Sequence, residues 1–329
     1  MINEPEMPAA GCPCLRRNGA NMNRVAKISA GKPRRRSNPF YRNAEDYLFM
    51  LPYLVLFVAF TVVPVGISMF LSFTNFNVLE PPEFVGLNNY FRLIMQDGLF
   101  MIALRNTLVL AVVTGPVSFF LCLLLAWLVN EFPPKLRAVF TLLFYAPTLS
   151  GGAYMVWSII LSGDSNGLLN ALLMSLGLTY SPIQWLTDTN YMMGTGIVVI
   201  LWMSLGTSFL SFIAGYQNVD RSLYEAGAVD GIRNRWQELW YITLPSMRPQ
   251  LMFGAVMSIT TSFGVGDVIS GLFGFPSTNY AMHTMVHMLQ DYGNVRFEMG
   301  YASAIATMLF VIMVGSNVVV QRLLRKLGA

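Results

Sequence analysis

The sequence predicts an all-α protein that crosses a membrane six times. Of the 329 residues, 54% are hydrophobic and only 12% are charged, whereas a soluble domain carries about 25% charged residues. Six charge-free runs are each long enough for a spanning helix, which needs roughly 20 apolar residues. Lysine and arginine are also distributed unequally between the segments that connect these runs.

The elements are predicted in chain order as one tail and one membrane domain. Residues 1–46 are polar, basic and rich in Gly, Pro, Ser and Asn, a composition typical of a flexible cytoplasmic tail. Residues 47–329 form one transmembrane domain, with helices at about 48–72, 106–130, 138–161, 192–216, 249–270 and 300–322. A further apolar stretch, Leu168 to Leu178, would be only about 16 Å long, so we expect an interfacial helix on the outer face.

The orientation follows from the basic residues. Eighteen of the 21 Lys and Arg residues lie in the two tails and in the loops after helices two and four, and only Arg92, Arg105 and Arg296 lie in the alternate segments. The positive-inside rule then predicts that both termini and the loop at about 217–247 are cytoplasmic. The same bias explains the net charge of +4, so nucleic acid is not an expected partner.

The loop at about 217–247 has the sequence of a helix-turn-helix elbow. Ser222 and Glu225 fit a capping box, with Asp220 as an alternative cap. Gly231 suits a left-handed helix stop. Two interpretations are open at this point: an interfacial hairpin in which Glu225 only caps the helix, or a rigid knob that docks into a cleft of a partner.

The second half of the elbow is predicted as another short helix. It would begin at Asn234, with Gln237 in the third helical position, and run to about Thr243. Pro245 and Pro249 would stop it and open the fifth spanning helix.

The elbow resembles the "EAA" loop of binding-protein-dependent ABC importer permeases, which is Glu-Ala-Ala, three residues, Gly, and later Ile-x-Leu-Pro. Two departures are present: Gly227 replaces the second Ala, and ten residues rather than nine separate Gly231 from Ile242. One extra residue turns a helix by about 100°. The matching residues are Glu225, Ala226, Gly231, Ile242, Leu244 and Pro245.

The resemblance covers most of the chain. The segments Tyr47 to Pro52, Phe84 to Tyr90 and Tyr301 to Ala304 are similar to the sugar permease subfamily, which includes the maltose-type membrane subunits and takes oligosaccharides and polyols. This similarity implies the type I ABC importer (MetI-like) permease fold. It also implies that residues of the elbow couple transport to ATP hydrolysis: Glu225, Ala226, Gly227, Asp230, Gly231, Leu244 and Pro245.

The resemblance further implies a transport subunit of a bacterial inner membrane rather than an enzyme. Its partners would be a second homologous permease subunit, two cytoplasmic ATPase subunits, an extracellular solute-binding protein and the lipid bilayer. None of the four lysines lies in a Gly-x-x-x-x-Gly-Lys-Ser/Thr motif, the P-loop that binds ATP phosphates. We therefore expect no cofactor on this chain, with ATP and Mg²⁺ used by the ATPase subunits.

A substrate path is predicted near the middle of the membrane. Ser258, Thr261 and Ser262 share one helix face about 14 Å deep, and Trp202 lies at about the same depth on helix four. An aromatic ring and hydroxyls suit a neutral sugar, although the same residue types also pack membrane helices together. The resemblance implies that these stretches line the substrate path.

Two other functions remain as alternatives. A permease for a non-sugar solute, such as a polyamine or phosphate, would favour a charged residue at the midplane. A stand-alone secondary carrier would favour buried carboxylates or an inverted repeat. His283 and His287 have the i, i+4 spacing of a metal-binding pair but no evident third ligand, so no metal site is predicted.

Overall fold

The structure is a computed structural model that describes residues 44–327. Most of the predicted tail therefore lies outside the described residues. The α-helices are α1 (Ala44–Phe57), α2 (Val63–Leu71), α3 (Asn88–Phe91), α4 (Gly98–Asn130), α5 (Pro134–Leu149), α6 (Met155–Ile160), α7 (Leu168–Ser175), α8 (Thr189–Met203), α9 (Thr207–Asn218), α10 (Arg221–Val229), α11 (Arg235–Glu238), α12 (Leu244–Ser246), α13 (Arg248–Phe263), α14 (Gly266–Phe273), α15 (Met285–Gln290) and α16 (Met299–Leu327).

Shorter elements connect these helices. Two residues from each of two segments form an antiparallel pair, in which Thr74 is opposite Phe84 and Asn75 is opposite Glu83. The strands are β1 (Thr74–Asn75) and β2 (Glu83–Phe84). The π-helical turns are Val58–Val62, Arg92–Gln96, Leu239–Thr243 and Asp291–Val295, and Thr278–Tyr280 is a 3₁₀ turn.

The chain divides into two units. The first ends at Val63 and the second runs from Pro64 to the C-terminus. Within the first unit, the side chains from Phe49 onward are exposed, as is suitable for a helix that lies in lipid. In the second unit α4 packs against α9 and α13, and α13 also packs against α16. The cores of this unit are therefore built around α4.

Three described helices are long and apolar enough to cross a membrane: Phe49–Leu71, Gly98–Asn130 and Met299–Lys326. Two bent pairs meet the same test when each is taken together, α8 with α9 at 43° and α13 with α14 at 40°. The predicted helix at 138–161 is divided into α5 and α6, and α5 has only 16 residues. The six-span topology thus stays a prediction that these helices are consistent with.

The second spanning helix begins earlier than the sequence suggested. It starts at Gly98 rather than near residue 106, because Arg105 interrupts the charge-free run but does not interrupt the helix. The Asp97 carboxylate caps it by accepting a hydrogen bond from the Leu99 amide at 3.0 Å. Charge therefore marked the edge of the apolar run and not the end of the helix.

The stretch expected to be interfacial does form a short helix, α7. Asn170 fixes it, because its side-chain amide donates to the carbonyls of Ser162 and Ile183 at 3.1 and 3.0 Å. Its amide oxygen accepts from the Trp185 indole at 2.9 Å. The position of α7 at an outer membrane face stays a prediction.

The start of α16 approaches β1 closely at Gly300. The Gly300 amide donates to the Phe76 carbonyl at 2.9 Å. A Cβ atom at this position would overlap the carbonyl oxygen of Thr74. Backbone atoms of this kind cannot rotate away as a side chain can, so only glycine fits here.

We predict that Gly300→Ala destabilises the protein by about 1–3 kcal/mol, because it overpacks a site bounded by backbone. Thermal unfolding of the purified protein should show a Tm lower by about 3 °C or more. Gly315→Ala is the matched control, since that glycine belongs to the same helix and a Cβ atom there would meet nothing within 4 Å. Equal melting temperatures for the two variants would contradict the close-approach explanation.

Candidate functional site

The first helix of the elbow (residues 217–247) is α10, and Asp220 starts it. The Asp220 carboxylate accepts a hydrogen bond from the Ser222 amide at 3.0 Å, and this bond holds the pKa of that carboxyl below its usual value. The predicted capping box of Ser222 and Glu225 is wrong, and the alternative cap is the one present. Asp220 has the extended backbone of an N-cap, whereas Ser222 already lies inside the helix.

The end of α10 is a Schellman motif. Gly231 has a φ of +93°, the left-handed conformation predicted for it. The Ile232 amide donates to the Gly227 carbonyl at 2.9 Å, and the Gly231 amide donates to the Ala228 carbonyl at 3.3 Å. Both ends of α10 are therefore fixed by hydrogen bonds.

The second half of the elbow is longer than predicted. Gln237 reaches back as expected, because its side-chain oxygen accepts from the Asn234 amide at 3.3 Å. The helix α11 then continues through a π-helical turn into α12, so Pro245 does not stop it. Proline is tolerated there because it lies in the first turn of α12, where its missing amide hydrogen breaks no required bond.

The two halves of the elbow pack directly on each other at Gly227. A Cβ atom on Gly227 would lie 2.6 Å from Cδ1 of Ile242 and 3.2 Å from Cδ1 of Ile232. The Tyr224 hydroxyl is hydrogen-bonded to the Thr243 hydroxyl at 2.8 Å. The extra residue between Gly231 and Ile242 thus does not turn Ile242 away from α10.

The residues predicted for coupling divide between a surface and an interior. Gly227 is buried and Leu244 is half-buried, and Leu244 packs against a core cluster of the bundle. Val229 is 88% exposed, so it leaves an apolar side chain in solvent beside charged neighbours. The exposed members of the set are Glu225, Ala226, Asp230, Gly231 and Pro245.

A second candidate site is a cavity of about 250 Å³ whose 15 lining residues include eight that bear a hydroxyl group. No lining residue is charged, and the remaining lining is Gly, Ile, Met and Val. We call it the hydroxyl cavity. Its hydroxyl-bearing residues are Thr114, Ser118, Thr148, Ser204, Thr207, Ser208, Thr261 and Ser262.

Both helix breaks face the hydroxyl cavity. Ser204 and Gly206 lie between α8 and α9, and Gly264 and Val265 lie between α13 and α14. The Thr148 hydroxyl of α5 lies 3.1 Å from the Leu205 carbonyl and donates to it. Irregular backbone is tolerated in a membrane where side chains satisfy it or where it lines a cavity, and this site meets both conditions.

The four residues predicted for the substrate path are separated. Thr261 and Ser262 line the hydroxyl cavity. Ser258 is buried between α13 and α9, with its hydroxyl 3.3 Å from that of Ser208. Trp202 packs edge-on against Trp157 at 5.8 Å between ring centroids and is not part of the cavity lining. Thr261 and Ser262 are thus the two of the four that line the cavity, and the substrate path itself stays a prediction.

His283 and His287 lie together, with ring centroids 5.5 Å apart. His287 is engaged by hydrogen bonds, at 3.0 Å from the Ser270 hydroxyl and 2.7 Å from the Thr284 hydroxyl. Within residues 44–327 no group of three potential metal ligands is present.

Sequence reasoning missed a cluster centred on Asp97. Its carboxylate accepts from the hydroxyls of Tyr292 and Tyr301 at 2.9 and 3.0 Å. Arg92 pairs with Glu298 at 2.7 Å and stacks over the Tyr301 ring at 4.3 Å. The two sides of this cluster are about 200 positions apart in the chain. No local sequence pattern could therefore predict these contacts.

The cavity residues on α4 and α5 were also missed. Thr114, Ser118 and Thr148 are single hydroxyls in long apolar helices, a pattern that is common in membrane helix packing. The useful signal was the pair of glycines, Gly206 and Gly264, that interrupt two apolar runs at corresponding places.

Comparison with known proteins assigns the chain to a family. Residues 28–328 match the family described as "Binding-protein-dependent transport system inner membrane component". The probable ABC transporter permease protein YesP of Bacillus subtilis (strain 168) is 33% identical over 277 residues, covering 82% of this chain and 87% of YesP. The arabinooligosaccharides transport system permease protein AraP of the same strain is 32% identical over 279 residues, covering 83% and 87%.

A solved structure has the same fold. It is a chain of a bacterial ABC transporter involved in the import of the acidic polysaccharide alginate, with a TM-score of 0.71, 23% identity, and coverage of 88% of this chain and 98% of that chain. The predicted permease fold is thereby confirmed. The protein is a multi-pass membrane transport subunit, and it belongs to the family of inner membrane components of binding-protein-dependent transport systems, as its elbow sequence predicted.

Proposed function

We propose that this chain is one of two permease subunits in an ATP-driven importer for a neutral sugar or oligosaccharide. An extracellular binding protein delivers the solute, and two ATPase subunits dock on the elbow and supply the energy with ATP and Mg²⁺. In this proposal both termini and the elbow are cytoplasmic, in a bacterial inner membrane. The uncharged, hydroxyl-lined cavity between the two broken helices is the observation that carries the sugar assignment.

The construction of the elbow supports docking. A surface that transmits force has to be rigid, and α10 is fixed at Asp220, at Gly231 and against Ile242. The same helix presents Glu225 and Val229 to solvent. An interfacial hairpin would instead direct its apolar side chains to lipid, with no need for the buried contact at Gly227.

The lining of the cavity supports a neutral, polyhydroxylated solute. Serine and threonine hydroxyls can both donate and accept, so they suit the mixed donors and acceptors of a sugar. A charged solute such as a polyamine or phosphate would be poorly stabilised by this lining. The names of AraP and of the lactose permease LacF of Rhizobium radiobacter, which is 30% identical over 240 residues, point to the same class of solute.

The size of the cavity supports a two-subunit pathway. About 250 Å³ is below the usual range of roughly 300–1,000 Å³ for a small-molecule site. A second homologous subunit that faces the hydroxyl cavity would enlarge it and supply the opposite wall. The orienting groups contributed by this chain are then Thr261 and Ser262, with Thr207 beside them.

We predict that Glu225→Lys weakens assembly with the ATPase subunits by about tenfold or more, since it reverses a charge on the docking helix. Co-purification from membranes that also contain the partner subunits measures this loss. Glu83→Lys is the control, because Glu83 is an exposed glutamate in β2, outside the elbow. Normal co-purification of Glu225→Lys would refute the docking role.

A graded series at Gly227 tests the packing of the elbow. Gly227→Ala should be tolerated, because its Cβ atom would meet only the flexible side-chain tips of Ile242 and Ile232. Gly227→Leu should force α10 away from the second half of the elbow, at a cost of about 1–3 kcal/mol. We expect a lower Tm and weaker ATPase co-purification for the leucine variant alone, and similar behaviour of the two variants would count against this packing.

We predict that Thr261→Val slows sugar uptake by about fivefold or more, because it removes a hydroxyl from the cavity without changing its volume. Uptake is measured in proteoliposomes with the complete transporter and its binding protein, after a panel of sugars has identified the solute. Thr260→Val is the matched control, since both hydroxyls donate to a carbonyl one turn back in the same helix, whereas only Thr261 lines the cavity. If both variants transport at the wild-type rate, the hydroxyl cavity is not the substrate path.

A further inference from the structure

The second half of the elbow is attached to the bundle by contacts that the coupling motif does not include. Arg235 lies 3.3 Å from the Glu131 carboxylate, which follows the last residue of α4. Trp236 packs against Trp127 of α4, with 4.8 Å between the ring centroids. We call these two contacts, Glu131–Arg235 and Trp127–Trp236, the tether.

The two contacts of the tether act on one face of α4. Trp127 and Glu131 are four residues apart at the end of that helix, so their side chains lie on the same side. Arg235 and Trp236 are neighbours at the start of α11. Glu238 holds the guanidinium from the other side at 3.0 Å, and these charge-assisted contacts raise the pKa of Arg235. The arginine is thus oriented by one carboxylate towards the other.

Stability of the fold is a poor explanation for the ion pair. The side chains of Arg235 and Glu131 are 66% and 42% exposed, and pairs of this kind contribute little to folding. The core already holds this region, because Leu239 is buried in the same cluster as Ala126 and Val129 of α4. The tether is therefore better placed to set where the elbow meets α4 than to keep the chain folded.

The helix α4 connects the tether to the hydroxyl cavity. Ser118 and Thr114 of α4 line it, and Ser118 precedes Trp127 by nine residues, about 14 Å along a helix. No break separates these residues within α4. A displacement of the tether is thus passed along a continuous helix to the wall of the cavity.

The elbow also has covalent connections to the cavity, through α9 on one side and α13 on the other. Both of these paths reach the cavity beside a helix break, at Gly206 and Gly264. Counted from the elbow, each break lies beyond the cavity residues Ser208 of α9 and Ser262 of α13, so both covalent paths to the cavity are continuous helices. The tether adds α4 as a third continuous helix between the elbow and the cavity.

We infer that Trp127, Glu131, Arg235 and Trp236 are positioning residues that transmit the motion of the docked elbow to the hydroxyl cavity through α4. This inference rests on the proposed docking of ATPase subunits on the elbow. It assigns a role in coupling to a pair of contacts outside the Glu225 to Gly231 segment.

The test uses the complete transporter, co-expressed with its ATPase and second permease subunits. Thr261→Cys serves as a reporter because Thr261 is exposed and lines the cavity. Cys12 and Cys14 are replaced by serine, and Cys122 is retained because it is buried. The rate of labelling by a small maleimide is measured without nucleotide and with MgATP plus vanadate, so no knowledge of the sugar is required.

In the otherwise unmodified complex, we expect MgATP plus vanadate to change the labelling rate. Glu131→Arg and Arg235→Glu should each reduce this nucleotide-dependent change by about twofold or more, while the ATPase subunits still co-purify. The charge-swapped double variant, made together with Glu238→Gln so that position 235 does not face a like charge, should restore it. Arg233→Glu is the matched control, since Arg233 is an exposed arginine of the same loop and forms no ion pair within the described residues.

Three results would overturn the inference. One is a labelling response in the single charge variants that equals that of the unmodified complex. Another is a double variant that is no better than the single variants, because Glu131 and Arg235 would then act on other groups. The third is a complex that assembles but shows no nucleotide response at the cavity. If the ATPase subunits do not co-purify with the protein that carries no tether substitution, the proposed docking itself is refuted.

Discussion

The packing of α4 against α9 and α13 is the contact on which the rest of the second unit depends. These helices surround the largest buried aromatic side chains, Phe209 and Phe212, and the close approach of α13 is possible because Gly254 faces the Phe212 ring. In a membrane, lipid is as apolar as the side chains, so helices associate by close packing rather than by exclusion of water. Small and hydroxyl-bearing residues let these helices approach closely, and the same residues leave room for the hydroxyl cavity between them.

The breaks in two spanning helices follow from the same requirement. A helix that ends within a membrane leaves amides and carbonyls without partners, which is costly in hydrocarbon. At the break between α8 and α9, Thr148 donates to the carbonyls of Met203 and Leu205, and Ser204 and Gly206 line the hydroxyl cavity. The break is therefore supported by a side-chain donor from α5 and borders a cavity.

The sequence was a good guide wherever the relevant interaction is local. The apolar runs at 48–72, 106–130 and 300–322 predicted the three long apolar helices. The glycine at 231 and the glutamine at 237 predicted turns of the elbow that the structure contains. The same local reasoning chose Ser222 over Asp220 as a cap, since both residues satisfy the pattern and only the backbone conformation separates them. It also ended the second helix of the elbow at about Thr243, because a π-helical turn that continues into another helical turn has no simple sequence signature.

Interactions between distant segments were outside the reach of such reasoning. The depth of a residue along its helix can be calculated from the rise per residue, and this placed Trp202 level with Ser258. Depth does not fix the direction in which a side chain points, and Trp202 meets Trp157 instead of the cavity. The coupling residues were found through resemblance, whereas the contacts of Trp127 and Glu131 with the elbow needed coordinates.

Asp97 has one consequence for the way α4 is able to move. One of its carboxylate oxygens caps α4, and the other accepts from Tyr292 and from Tyr301 of α16, so the helix is anchored at this end as well as at Glu131. A rod that is clamped at both ends cannot slide lengthwise, but it can bow. Pro116, midway along α4, lacks the amide hydrogen that would resist bowing, and its neighbours Gly115 and Ser118 lie against Ser262 and the hydroxyl cavity. Bending of α4 would thus be greatest near Pro116, next to the part of the helix that lines the hydroxyl cavity.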